Sequence, residues 1–182
     1  MKEIKYSEFA MDDAENLINF LTSYNWPFHS SPKLTKEKLR QQLESGYFNG
    51  EGKRTYLILD DDNIIGVIRV FDLGEDFEDD ETPLFDIKIS DDYRGKGIGK
   101  SAVKWLCDFI FTNYPNKFRF EATTRVDNIA MRKVLEACGF LKEAHYRLAW
   151  PDIDGNRYDC AGYSLLKDDW LSGKTSKIDF NS

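Results

Sequence analysis

Apolar residues follow two different periods along the chain. Leu17, Ile18 and Leu21 recur at helical spacing near the amino end, which predicts an amphipathic helix after a first strand. From residue 55 the pattern changes to two β-rich runs, TYLILD and IIGVIRVF. The chain is therefore expected to combine helices with strands. The remaining expected strands are 2–9, 84–89, 118–125, 141–150 and 157–166, and the remaining expected helices are 35–44, 97–113 and 127–137.

Turn and cap residues separate these elements. Four turn formers at 60–63 are expected to join two strands as a hairpin, and Asp154-Gly155 to join the last two strands. Thr35 is a suitable N-cap for the second helix. Because neither a repeat nor a linker is seen, we expect one α/β domain over 1–171 with a mixed, mostly antiparallel central sheet and helices on both faces. The segment 172–182 lacks periodicity and is expected to be a mobile tail.

Composition and charge exclude several classes of protein. Hydrophobic residues make up 41% of the 182 residues, which supplies enough apolar side chain for a core. The net charge of −7 argues against a general nucleic-acid binder, because affinity for phosphates needs a broad cationic surface. No signal peptide is recognised at the start, and no run approaches the ~20 apolar residues of a membrane helix. Neither nucleic acid nor a membrane is therefore an expected partner.

The cysteines and histidines bear on compartment and metal binding. The three cysteines are odd in number, far apart and without CxxC spacing, which favours reduced thiols in a cytoplasmic protein. With two histidines in the chain, no dedicated metal site is expected. The cysteines are Cys107, Cys138 and Cys160.

A glycine-rich turn carries the strongest chemical signal. Gly95, Gly97 and Gly99 alternate between the strand 84–89 and the helix that follows it. Glycines let backbone N–H groups turn inward without obstruction by a Cβ, and the N-terminus of a helix adds partial positive charge. Such a turn is suited to a pyrophosphate, although a flexible helix start that binds nothing is the alternative. The basic residues in the turn are Arg94, Lys96 and Lys100.

Two common phosphate-binding motifs do not fit this turn. Gly99-Lys100-Ser101 matches the end of a P-loop, but position 94, where the first glycine is required, is Arg94. A Rossmann fingerprint starting at Gly95 would require glycine at position 100, which is Lys100. A phosphate-binding NTPase is therefore a remote alternative.

The pattern R-x-x-G-x-G does fit, over residues 94–99. A second block agrees with it, namely Asn128-Ile129-Ala130 followed by Gly139-Phe140 at the end of the same expected helix. With these two motifs the sequence resembles the GNAT superfamily of acyl-CoA-dependent N-acyltransferases, and within it the RimJ/RimL-like subgroup. The resemblance extends over 1–171 in element order, and its motifs fall within 84–140.

The resemblance implies acetyl-CoA as the cofactor and a primary amine as the acceptor. In the family the glycine turn binds the pyrophosphate, while the preceding strand offers backbone groups to the pantetheine arm. Asn128 is implied in a contact with that arm, although an N-cap is at least as good an explanation. For Arg132, a solvent-facing position competes with a role near the 3′-phosphate. The implied cofactor-binding residues are Ile87, Ile89, Arg94, Gly95, Lys96, Gly97, Ile98, Gly99, Lys100, Asn128 and Arg132.

The candidate catalytic residues are Asp86 and Tyr163. The carboxylate that the subgroup places early in the fourth strand would fall at Leu84, and Asp86 lies two residues later on the same face. Asp86 is thus a candidate base, with a surface carboxylate as the alternative. Leu135 and Met131 occupy the positions of the family's usual acids, so a proton donor would come from the late strands or from solvent. This departure leaves a non-catalytic acyl-CoA-binding module as the alternative function.

Two segments bear on the acceptor. Residues 26–29 (WPFH) lie where the subgroup has part of its substrate wall, although two aromatic residues there also suit a cover over the core. The acidic run 75–81 is either a solvated loop or an attraction for a cationic acceptor. The resemblance implies direct attack by a small amine or a protein N-terminus. It leaves the acceptor open, and also the oligomeric state, for which a homodimer is considered.

Overall fold

The computed structural model describes residues 4–74 and 82–179 of the chain. The acidic run 75–81 lies outside the described residues, so neither interpretation of it is tested. Two compact units follow one another in sequence, Met1–Ile98 and Gly99–Ser182. The expectation of one domain over 1–171 with a mobile tail stays a prediction.

The first unit contains an antiparallel sheet in the order β1-β2-β3-β4. The hairpin expected from the turn formers at 60–63 is the β2–β3 pair, and β4 has the bounds expected from its alternating pattern. The Thr35 side chain accepts a hydrogen bond from the Lys38 amide, which confirms the predicted N-cap. The elements of this unit are β1 Ile4–Glu8, α1 Ala14–Ser23, α2 Lys36–Glu44, β2 Arg54–Asp60, β3 Asn63–Phe71 and β4 Leu84–Ile89.

One face of this sheet packs against the two helices. The predicted apolar stripe of α1 is buried in a cluster that also holds Leu57 of β2 and Val67 of β3. Each fully buried aliphatic side chain of this kind contributes about 2 kcal/mol to folding. Lys88 pairs with Val67 in the β3–β4 register, and Asp86 pairs with Arg69. Because directly opposed residues share a face, Asp86 and Lys88 lie on the side of the sheet that carries this core.

The second unit contains a three-stranded antiparallel sheet in the order β5-β7-β6. The predicted apolar face of the long helix α3 is buried, as expected from its spacing. The final helix α5 was not predicted from the sequence, and it ends at Gly173 with φ +66°. The elements are α3 Ile98–Asn113, of which Ile98 closes the first unit, β5 Arg119–Arg125, α4 Ile129–Ala137, β6 Leu141–Pro151, β7 Arg157–Leu166 and α5 Lys167–Ser172.

Strand β6 carries an irregularity that the alternating pattern did not predict. Its register against β7 shifts between Tyr146 and Trp150, and Leu148 adopts φ +52°. The Asp159 carboxylate holds this distortion, because it accepts from the Leu148 amide at 2.8 Å and lies 2.7 Å from Nε2 of His145. His145 is thereby an exposed strand residue paired with Asp159.

Three further observations concern cysteines, metals and membranes. Cys107, Cys138 and Cys160 are free. Over 4–74 and 82–179, no group of three or more His, Cys, Asp or Glu side chains has the proximity of a metal site. None of the helices described here has both the length and the apolar character needed to span a bilayer.

Candidate functional site

The glycine-rich turn forms an exposed backbone segment between β4 and α3. After β4 the chain makes a short 3₁₀ turn at Asp91–Tyr93, and α3 begins at Ile98. Gly95 has φ +73° and Gly97 has φ +84°, values that residues with a side chain rarely adopt. A Cβ at either position would meet no described atom within 4 Å. The backbone of this turn is therefore open to a ligand and needs glycine for its conformation.

The side chains around the turn are divided between exposed charges and buried anchors. Lys96 and Lys100 are exposed, whereas Ile98 is only 3% exposed and fixes the start of α3. The Tyr93 hydroxyl donates to Asp60 Oδ2 at 2.7 Å and ties the 3₁₀ turn to β2, and this hydrogen bond raises the pKa of Tyr93. Two lysines beside open backbone at a helix N-terminus can attract an anion.

The Arg94 guanidinium is engaged by protein groups. Its Nε donates to the Ile89 carbonyl at 2.9 Å, and its Nη2 donates to the Asn25 carbonyl at 3.4 Å. It also forms an ion pair with Asp91 and lies 5.8 Å from the centre of the Trp26 ring. The Arg94 side chain therefore lies at the start of the turn, and its N–H groups are used in hydrogen bonds and an ion pair with other protein groups. A direct contact with pyrophosphate stays a prediction.

Asp86 belongs to a cluster of three ionisable side chains. Lys88 donates to Asp86 Oδ2, and His29 Nδ1 lies 3.2 Å from Asp86 Oδ1 and 3.3 Å from Lys88 Nζ. The side chains of Asp86, His29 and Lys88 are 27%, 27% and 11% exposed. Asp86 is thus a partly buried, paired carboxylate and not an isolated surface one.

The cluster sets the protonation of its members. Burial acts to raise the pKa of the Asp86 carboxyl, but the charges of Lys88 and His29 and the hydrogen bond from Lys88 lower it to about 2. Burial, aided by Lys88 and Arg94, lowers the pKa of His29 to about 4 against the opposing charge of Asp86. At neutral pH Asp86 is therefore ionised and a weak base, and His29 is neutral.

The partners of Asp86 were not predicted from the sequence. The proximity of Lys88 was predictable, because side chains two positions apart on a strand lie on the same face. That of His29 was not, since it precedes Asp86 by 57 residues and no local pattern links the two. Trp26, three residues before His29, is 1% exposed. Of the two interpretations of residues 26–29, its burial agrees with a cover over the core.

The remaining β4 candidates are Ile87 and Ile89. In the register of the hairpin, Ile87 lies opposite Ile68 and Ile89 opposite Gly66. A Cβ at Gly66 would be only 2.8 Å from the Lys88 carbonyl oxygen, so the two strands approach closely here. Strand β4 therefore has a firmly supported backbone next to the turn. A contact of these two residues with a pantetheine arm stays a prediction.

In the second unit the candidates Asn128, Arg132 and Tyr163 occur near the start of α4. Asn128 Oδ1 accepts from the Met131 amide at 3.2 Å, which confirms the N-cap interpretation. Arg132 does not face solvent freely, because its Nη1 donates to the Val126 carbonyl at 3.0 Å and its Nε to the Tyr163 hydroxyl at 3.2 Å. Contacts of Asn128 and Arg132 with the cofactor stay predictions.

Tyr163 is a buried residue with an occupied hydroxyl. It is 2% exposed, and its hydroxyl accepts from Arg132 and donates to Glu136 at 3.4 Å. The other tyrosines of β6 and β7 differ, since Tyr146 is 50% exposed and Tyr158 donates to Asp152 at 3.2 Å. A role of Tyr163 as proton donor stays a prediction.

Comparison with known proteins adds a family match. The profile of a family described as an acetyltransferase (GNAT) domain matches residues 5–141. No curated protein matches the chain in sequence.

Several solved structures share the fold. A chimera of spermidine N-acetyltransferase SpeG from Vibrio cholerae and hSSAT superposes with a TM-score of 0.77 at 19% identity, covering 93% of this chain and 99% of that one. The V. cholerae spermidine N-acetyltransferase in complex with CoA and spermine gives 0.73 at 20% identity, covering 92% and 98%. A dodecameric structure of the same enzyme gives 0.73 at 18% identity, covering 93% and 97%. At these identities the likeness concerns the fold, and it confirms the expected α/β architecture.

Proposed function

Because the chain belongs to the GNAT acetyltransferase family, whose members use acetyl-CoA, we propose that it transfers an acetyl group to a primary amine by direct attack. The observation that carries the proposal is the turn over residues 94–100, with its left-handed glycines, open backbone and exposed lysines. When bound, acetyl-CoA supplies a thioester carbonyl that an amine can attack. The assignment to the RimJ/RimL-like subgroup is a finer proposal that rests on the sequence alone.

The residues of the turn fit the diphosphate of coenzyme A. The open space at Gly95 and Gly97 lets an anion approach the backbone amides, and the start of the 16-residue helix α3 adds partial positive charge. Lys96 and Lys100 would add charge from exposed positions. We propose that these groups hold the diphosphate, while Arg94 supports the entrance of the turn. Ile87, Ile89, Asn128 and Arg132 are proposed to hold the rest of the cofactor.

Asp86 and Tyr163 are the proposed proton-transfer groups. With a pKa of about 2, the Asp86 carboxylate would hold a proton only briefly and pass it to water. The Tyr163 hydroxyl would protonate the departing thiolate as a general acid. We expect Asp86→Asn and Tyr163→Phe each to lower kcat about 100-fold with little change in affinity for coenzyme A. A change of less than about twofold in kcat would remove that residue from the chemistry and leave its role to solvent.

A binding and turnover experiment tests the proposed function. Acetyl-CoA is titrated into the full chain by calorimetry, and release of the CoA thiol is followed with spermidine, an aminoglycoside and short peptides with free N-termini. The proposal predicts saturable binding and amine-dependent thiol release. Absence of binding at millimolar acetyl-CoA would overturn the cofactor assignment.

A non-catalytic acyl-CoA-binding module is the second candidate function. It is favoured by Leu135, which is fully buried at the position of a usual family acid, and by Met131 at the other such position. This candidate predicts acetyl-CoA binding without thiol release above hydrolysis for any amine. The same titration and panel therefore separate the two functions.

The acceptor class, the assembly and the compartment are also proposals. The net charge of −7 favours a cationic amine, and a fold neighbour is in complex with spermine, so polyamines head the panel. A homodimer is the assembly we propose to test, by light scattering, against the dodecamer reported for a neighbour. Three free cysteines fit the reducing conditions of a cytoplasm.

A further inference from the structure

Residues 25–29 are fastened at both ends to β4 and the turn that follows it. At the first end, Arg94 bonds to the Asn25 carbonyl and lies beside the Trp26 ring. At the other end, His29 lies between Asp86 and Lys88 of β4. The segment therefore depends for its position on the strand and turn to which the cofactor is assigned.

Backbone and indole hydrogen bonds also fix the segment, and one of them joins two of its own residues. The Trp26 amide donates to the Pro32 carbonyl at 2.8 Å, and the His29 amide donates to the Trp26 carbonyl at 3.0 Å. The Trp26 indole donates to the Leu21 carbonyl at 2.9 Å, and its side chain is 1% exposed. Asn25 and Trp26 are thus linked to His29 by the backbone and by the hydrogen bond from the His29 amide to the Trp26 carbonyl.

Arg94 is the part of the turn that reaches this segment. Its Nε, Nη1 and Nη2 atoms contact the Ile89 carbonyl, the Asp91 carboxylate and the Asn25 carbonyl, respectively. A guanidinium holds its donors in one rigid plane, and the compact ammonium of a lysine cannot reproduce that geometry. Arg94 also precedes Gly95 directly, so any change in the conformation of the turn acts on its backbone.

We propose that Arg94 is a positioning residue that fastens residues 25–29 to the glycine turn, so that coenzyme A bound at the turn also orders this segment. The inference rests on the proposed function, because it takes the turn as the diphosphate site. It gives Arg94 a role through Asn25 and Trp26 that is separate from its predicted contact with phosphate. By linkage, anything that orders residues 25–29 also tightens binding at the turn.

Amide hydrogen exchange followed by NMR on the full 21.2 kDa chain tests this inference, with coenzyme A as the probe. The reporters are the hydrogen-bonded amides of Trp26 and His29. In the wild type we expect saturating coenzyme A to slow their exchange about fivefold or more, together with amides of residues 95–100. In Arg94→Gln only the amides of the turn should be slowed.

Lys96→Gln is the matched control, because it removes a positive charge from the same turn, where the Lys96 ammonium lies 5.3 Å from the centre of the Tyr93 ring. It should weaken coenzyme A binding yet keep the slowing at Trp26 and His29 once saturated. Arg94→Lys serves if Arg94→Gln does not fold, and it should lose the same slowing because the guanidinium fork is gone.

The outcomes separate the inference from the function on which it rests. Equal slowing of Trp26 and His29 in the wild type and the Arg94 variants would overturn the positioning role while leaving the cofactor site intact. Slowing of the turn alone in the wild type would do the same. If coenzyme A slows no amide at all, the proposed function itself fails, and the role of Arg94 fails with it.

Discussion

At the scale of single residues, Gly97 gives the most direct test of the turn. Its φ of +84° strains any residue with a Cβ, although no described atom would obstruct that Cβ within 4 Å. We expect Gly97→Ala to lower the free energy of unfolding by about 1 kcal/mol and to weaken coenzyme A binding at least about tenfold. Urea unfolding and calorimetric titration measure the two effects.

Gly155→Ala is the matched control for that variant. Gly155 has φ +83° and equally open surroundings, but it lies in the turn between β6 and β7. It should show the same loss of stability with unchanged affinity for coenzyme A. If both variants bind coenzyme A like the wild type, the backbone at Gly97 does not contact the ligand.

His29 predicts a specific pH dependence of stability. Its pKa falls from an ordinary 6.5 to about 4 in the folded chain, chiefly through burial. Between these values His29 binds more protons in the unfolded chain than in the folded one. Its contribution to the free energy of unfolding is therefore fully present above pH 6.5 and is lost as the pH falls toward 4. We expect His29 to account for about 2 kcal/mol of the stability lost between pH 7 and pH 5, measured by urea unfolding at each pH.

The substitution His29→Gln removes this titration. The variant should show a flatter stability profile between pH 6.5 and 4, whereas His145→Gln should keep the slope that His29 produces. Asp86 acts in a lower window, because its depressed pKa removes stability as the pH falls from 3.8 toward 2. An unchanged slope in His29→Gln would mean that His29 is not buried beside Lys88 in solution.

At the scale of elements, substitutions at the N-caps of α4 and α2 distinguish an effect on stability from an effect on coenzyme A binding. Asn128 caps α4 and Thr35 caps α2, each by accepting from the amide three residues later. We expect Asn128→Ala and Thr35→Ala each to cost about 1 kcal/mol of stability. Only Asn128→Ala should also weaken coenzyme A binding, and calorimetry compares the two.

The variant Asn128→Asp refines that comparison. It keeps the acceptor that caps α4 but loses the amide that donates to Thr124 Oγ1 at 3.2 Å. Stability should therefore stay within about 0.5 kcal/mol of the wild type. Full affinity for coenzyme A in both Asn128 variants would reduce Asn128 to a cap without a ligand contact.

The elements themselves were largely predictable from local pattern. Strands β4 and β7 have the bounds expected from alternation, and the start of α2 was indicated by Thr35. The short helix α5 was missed, because six residues are too few for a helical period to emerge. The shift in β6 was missed as well, since it depends on Asp159 of the neighbouring strand.

At the scale of the whole molecule, the candidate site divides into a predictable and an unpredictable part. The glycine turn was predictable, because adjacent residues impose its backbone and place its charges. The arrangement around it was not, since Arg94 meets Asn25 across 69 residues and His29 meets Asp86 across 57. Such contacts depend on how α1 and its following loop pack against the sheet, which no local period encodes.

The proposed function depends most directly on where a diphosphate binds. A crystal structure of the full chain with coenzyme A measures this directly. We predict that the pyrophosphate oxygens lie within about 3.2 Å of backbone nitrogens of residues 95–100. A pyrophosphate bound elsewhere on the chain, with those nitrogens free of it, would contradict the account.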